Sequence, residues 1–295
     1  MKLQLITALS AVAATICAMP AFALDLATPE GKLQAMVKMR ASADGSPAFA
    51  DWRVTAFAVV PGQKPVAIFK LDGFNVGRME KQPDGAYRFI SREVAYYRDL
   101  VTRNIIEKWD NPYTKQSNDV MQVINDPVNV YFPPPAKLPP AMLPFEVRGE
   151  DVVLQLDVPL GYPNPIRPEE YPIESTGPTY LASEHFLYFA KTSEVIDDKL
   201  AFTPTHYAWT RVGPWLPWMK MGKLPGWILY VGNGRKHASP AALDPVVREY
   251  TEKNHPKFML PPDKFVPPNE TSWTYYRKLF PPKGEATKPS SEAPK

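Results

Sequence analysis

The chain runs to 295 residues, with 34 Lys and Arg against 31 Asp and Glu and a formal net charge of +3. So balanced a surface gives counterion release and electrostatic steering little field to use, which argues against nucleic acid or an anionic membrane as the main partner. Proline is abundant at 35 residues; each one removes an amide donor and crowds the preceding turn, so short strands between stiff loops are expected rather than long helices.

Lys2, the apolar run from Leu3 to Cys17 and the small-x-small sequence Ala21-Phe22-Ala23 read as a cleavable export signal, with the mature chain starting at Leu24. Ile16 stands where a lipoprotein signal needs a small residue. Cys17 is the only cysteine, so cleavage removes disulfides, thiol nucleophiles and thiolate metal ligands together. The run is too short to span a bilayer and no longer one follows, so no integral membrane segment is expected after cleavage, and the protein is placed in the periplasm or outside the cell.

Thr28-Pro29-Glu30 gives an N-cap, a proline at the first helical position and an acid at the positive end, predicting a helix from residue 29 to about 40. From Asp51 the period changes to two, with Trp52, Val54, Ala56 and Ala58 on one face until Pro61-Gly62. Strands over 66–74 and 76–81, with Asp72-Gly73 as a bulge, lead through the Pro83-Asp84-Gly85 turn to a returning strand over 87–96. Shorter strands follow at 105–109, 120–124 and 128–132. Residues 133–144 form a proline-rich crossover. A strand pair over 145–158 turns at Gly149-Glu150-Asp151, and further strands cover 179–190, 205–212 and 227–232. Gly232-Asn233-Gly234 reads as a hairpin turn. Ser239-Pro240 opens a second helix that runs to about 254, and the Pro, Lys, Ser and Glu of 281–295 form a disordered tail. The expected fold is therefore mainly β: one domain over 24–280, antiparallel and up-and-down, barrel-like (calycin- or lipocalin-like) or a sandwich, with one N-terminal and one C-terminal helix.

Four groups of residues could carry chemistry. In the block from Arg92 to Asp99, alternation puts Glu93 and Tyr97 on one face and Arg92 and Tyr96 on the other. Glu93 then serves either as an interior acid or base or as part of an Arg92–Glu93 network that fixes register. Asn111, Asn125 and Asn129 sit beside Asx-Pro steps, which make tight turns; the sharper reading has them present amides to a ligand. Tyr188 shares a face with Glu184, whereas His185 points the other way unless a bulge intervenes, and His206 begins the next strand. Two imidazoles and a carboxylate suit zinc or iron, yet no metal-ligand spacing is present, so no metal or other cofactor is assigned. Trp209, Arg211, Trp215 and Trp218 fall in a proline-fixed segment that reads as a wall over an apolar ligand or as core. Nucleophile-elbow, phosphate-loop and dinucleotide motifs are absent.

Arg92-Glu93-Val94 with Tyr96-Tyr97, Trp109-x-Asn111-Pro112, Asn125-Asp126-Pro127-Val128-Asn129, Ser183-Glu184-His185-Phe186 and Arg211 through Met219 together resemble the bacterial and fungal family known as domain of unknown function 1838. That resemblance implies no activity and no catalytic set. The residues themselves lead to an exported β-barrel-like protein that binds a small apolar or aromatic molecule. Trp209, Trp215, Trp218 and Tyr188 line the cavity, with Arg211 and Glu184 giving it polarity. The alternatives are an acid–base enzyme (isomerase, dehydratase or hydrolase) using Glu93 or Glu184 with His185 or His206, and an envelope interaction module.

Overall fold

Alternation over long stretches produces twelve strands and four α-helices among the residues that the computed structural model describes, 23–139 and 141–282. Of the export-signal reading over 1–23 and the tail reading over 281–295, all but Ala23, Pro281 and Pro282 fall outside the described residues. Helix α1 (Pro29–Arg40) starts as predicted, with the Thr28 hydroxyl accepting the Gly31 amide at 3.1 Å. The long strands are β1 (Ala48–Val59), β2 (Val66–Lys81), β3 (Tyr87–Arg98), β9 (Asp151–Pro163), β10 (Thr179–Lys191), β11 (His206–Gly213) and β12 (Trp227–His237). The short ones are β4 (Lys108–Asp110), β5 (Ser117–Asp119), β6 (Val123–Asn125), β7 (Val130–Phe132) and β8 (Phe145–Arg148).

Ten of them make one antiparallel sheet in the order β6, β3, β2, β1, β12, β11, β10, β9, β8, with β7 also pairing β3; β4 and β5 form a separate ribbon. Two meanders, each between sequence neighbours, are thus joined by the β1–β12 ladder. Val54, Phe69, Tyr97, Tyr180 and Tyr230 share one buried cluster, although β3 and β10 are five strands apart in the sheet. A flat sheet would separate those strands by about 24 Å, so the sheet curls and its inner face becomes an interior.

Helix α1 plugs the base of that interior. Leu33, Met36 and Val37 pack with Met79, Tyr87 and Phe89 from one limb and with Val152, Leu154 and Tyr188 from the other. At ~1.5–3 kcal/mol for each large apolar side chain buried, this contact is a major fastening. Outside, α3 (Pro245–Asn254) covers Phe74, Val76, Val94 and Tyr96 with Val247, and the Tyr96 hydroxyl meets Thr251 Oγ1 at 2.9 Å. Helices α2 (Thr192–Ile196) and α4 (Ser272–Leu279) complete the described helices.

Several sequence expectations need correction. Gly232-Asn233-Gly234 lies within β12, paired on both sides, and makes no turn. Its glycines answer to close strand approach instead: a Cβ on Gly234 would lie 2.0 Å from the Asp51 carbonyl oxygen. The bulge falls at Ala56/Phe57, not at Asp72-Gly73. Ser239 caps only a short turn over Pro240–Ala242, and Asp244 caps α3 by accepting the Val246 and Val247 amides. One N-terminal and one C-terminal helix therefore undercounts the four described.

Candidate functional site

Strand register arranges the inner face in rows. Glu184, Arg211, Tyr230, Ala56 and Phe69 form one; Phe186, Trp209, Gly232, Val54, Leu71 and Tyr97 form the next. Tyr188, Tyr207, Gly234, Trp52, Gly73 and Ala95 follow, and Ala50, Asn75, Glu93 and Asn125 lie beyond. Glycine on both sides of Trp52 leaves the indole room above the sheet. Because the sheet curls, Glu93 on one limb comes close enough to Glu184 and Arg211 on the other for their charges to act on it.

Two polar couples face each other there. Asn125 Nδ2 donates to Glu93 Oε1 at 2.6 Å. Arg211 Nε lies 3.6 Å from Glu184 Oε1, Arg211 Nη2 donates to the Tyr180 hydroxyl, and Trp209 Nε1 donates to Glu184 Oε2 at 3.3 Å. Rings flank them: Trp209 lies 5.9 Å from Tyr230 and 6.2 Å from Phe186, and the Arg211 guanidinium stands over Tyr230 and Trp273. Desolvation pushes the Glu93 carboxyl above its ordinary value, opposed by the Asn125 hydrogen bond and the nearby guanidiniums. The Tyr97, Tyr180 and Tyr230 hydroxyls are raised by the same burial and stay protonated.

Glu93, Glu184, Arg211, Trp209 and Trp52 are each half-buried. Among the described residues, Trp52 Nε1, Asn125 Oδ1 and Arg211 Nε have no hydrogen-bond partner. Beyond Leu154, β9 has no strand partner on its β8 side among the described residues. Val158 is opposite Glu184 on the inner face and is 38% exposed, so solvent reaches the interior beside Glu184.

The other sequence candidates fall elsewhere. Tyr188 is buried at 5.4 Å from Tyr207 near the base. Tyr97, Trp215 and Trp218 are core: Trp218 lies 5.1 Å from Tyr97 and 5.8 Å from Trp109, and Trp215 Nε1 donates to the Leu224 carbonyl. Asn111 is a turn residue whose Oδ1 accepts the Tyr113 and Thr114 amides while its Nδ2 donates to the Met219 carbonyl. Asn129 likewise ties loops, accepting the Ser91 amide and donating to the Val266 carbonyl. His185 and His206 both sit on the outer face, opposite Thr210 and Phe189 respectively, so they join neither each other nor the two glutamates. Among the described residues no group of three or more His, Asp and Glu is placed to hold a metal ion.

Sequence reasoning did not pair His185 with its actual neighbours. Ser183 Oγ lies 2.9 Å from His185 Nε2, and His185 Nδ1 lies 2.7 Å from Asp157 Oδ1. The order matches an acyl-transfer triad, but the array is exposed on a strand flanked by partners on both sides at Ser183, which leaves no pair of free amides for an oxyanion. Trp52 and Arg40 were also missed; only the inward phase of β1 pointed to the first, and nothing local to the second.

A curled antiparallel sheet whose inner face carries polar and aromatic side chains defines a mainly β protein whose candidate site faces inward. The chain belongs to the family described as protein of unknown function (DUF1838), whose model matches residues 45–280. That stretch takes in every described strand and α4 but leaves out α1. No curated protein matches the chain.

Proposed function

We propose that the protein binds a small aromatic or apolar molecule inside the curled sheet, which acts as a barrel-like container with α1 as its base. The supporting observation is the set of unpartnered polar atoms, Trp52 Nε1, Asn125 Oδ1 and Arg211 Nε, on a face walled by Trp209, Phe186 and Tyr230. Buried polar groups normally find partners, so such a set marks where a ligand's own polar atoms belong. Aromatic walls supply affinity, and the Glu93–Asn125 and Arg211–Glu184 couples orient the guest.

Native mass spectrometry of the mature protein, with calorimetric titration of any molecule it carries, tests this reading. A co-purifying organic mass whose binding falls at least tenfold in Trp209→Ala supports it. Unchanged binding in a folded Trp209→Ala variant removes Trp209 from the site.

A second reading, acid–base catalysis, is favoured by one observation: a carboxyl that burial holds above its ordinary value, beside a second carboxylate and an arginine, is suited to proton transfer. Glu93 would be its centre, without a histidine. Export to the periplasm or medium completes the proposal. Cleavage after Ala23 would turn the Leu24 amide, which donates to the Ile196 carbonyl, into an α-ammonium that can still donate there.

A further inference from the structure

Helix α1 ends at Arg40, whose guanidinium lies 4.7 Å over the Phe89 ring on the inner face of β3. Its charge is close enough to Glu93, Tyr188 and Tyr207 to bias the ionisation of all three, which places it at the base of the interior. Among the described residues it has no carboxylate within ion-pair distance and no hydrogen bond. An arginine bound for solvent needs no partner; one turned into a protein interior ordinarily has one.

Every other charged group there is committed. Glu184 accepts from Trp209 and lies beside Arg211, Glu93 accepts from Asn125, and Lys236 Nζ donates to the Lys38 and Ala41 carbonyls at the end of α1. Trp52 Nε1 and Arg211 Nε add two more donors without acceptors. Asn75 Oδ1 and Asn125 Oδ1 on the same face are acceptors without donors among the described residues, so the imbalance there is one of charge, with Arg40 the cation that lacks a carboxylate.

We propose that the interior is built for an organic anion: an aromatic carboxylate whose ring lies against Trp52, Trp209 and Phe186 and whose oxygens accept from Arg40, with the free indole and guanidinium donors completing the site. This rests on the reading of the interior as a ligand site and adds the charge of the ligand. Burial disfavours the charged form of Glu93, which works in the same direction. Arg40 lies outside the stretch that the family model matches, whereas Glu93, Glu184 and Arg211 lie within it.

Three probes that share one ring system test the charge: 2-naphthoate, 2-naphthalenemethanol and 2-naphthylmethylammonium, each titrated calorimetrically into the mature protein. The expected result is that the carboxylate binds at least tenfold more tightly than the alcohol and that the ammonium binds most weakly. Arg40→Gln should erase about tenfold of the carboxylate's affinity and leave the alcohol's unchanged, and Arg40→Lys should restore part of it. Equal affinity for all three, or preference for the ammonium, overturns the anion assignment while leaving the cavity standing. No binding of any probe at millimolar concentration overturns the cavity reading as well. Because the three probes are first compared on the unmutated protein, the charge preference is decided even if an Arg40 variant fails to fold.

Discussion

Asp72 is 1% exposed on the outer side of β2, with Arg98 at 2.8 Å and Arg103 at 3.2 Å. Desolvation raises its carboxyl and the two arginines lower it, with burial the larger influence. Arg98 also donates to the Arg103 carbonyl and lies 3.6 Å from Asp244, the cap of α3, so the pair ties a loop and a helix to the sheet. Removing one member of a buried pair strands the other charge. Asp72→Ala is expected to cost about 3–5 kcal/mol in urea unfolding, and a loss below 1 kcal/mol would show that Arg98 finds water instead. Glu93 yields a pH prediction. Its folded-state value lies above the ordinary 4.5, so between 4.5 and the raised value the folded state binds more protons than the unfolded chain. Stability therefore falls as pH rises through that window and levels off above it, with Asp72 contributing in the same sense from 3.8. Glu93→Gln, which keeps an oxygen for Asn125, should flatten the slope of unfolding free energy against pH. The facing of Glu93, Glu184 and His185 was legible because the two-residue period fixes it. That the Arg211 charge acts on Glu93 was not, since they lie more than a hundred positions apart and are brought near each other only by the curl of the sheet.

At the scale of elements, the long strands and α1 follow from period and caps, whereas the errors cluster where one residue type serves two purposes. Glycine supplies the positive φ of a turn and also the bare backbone that lets strands crowd together; β12 uses the second property, and nothing in Gly-Asn-Gly distinguishes them. Helix α4 was missed because its capping box is Thr271 with Thr274 rather than a hydroxyl with Glu or Gln. Its role is local to the site: Trp273 lies 4.8 Å from Tyr180 and under the Arg211 guanidinium. Thr271→Ala should lower stability by ~1 kcal/mol through the lost cap. Trp273→Ala should lower it by ~3–5 kcal/mol through the cavity it leaves, and it should weaken ligand binding as well because Arg211 loses one wall. Loss of binding in Thr271→Ala equal to that in Trp273→Ala would show that α4 acts only by covering the site.

For the whole molecule, the antiparallel, mainly β architecture was legible from strand lengths and turns, while the strand order was not. Turn chemistry reports which neighbours in sequence pair up; it is silent on the β1–β12 ladder, whose partners Phe49 and His237 stand at opposite ends of the strand sequence. All other ladders of the large sheet join strands that follow one another closely. Each meander can accordingly assemble from nearby contacts, while the seam between them must wait for the greatest loop closure in the molecule. Trp52 and Gly234 face each other across that seam. While β1 and β12 stand apart the inner face is not continuous, so a ligand that recognises that face would act as a clasp on the joint that completes it.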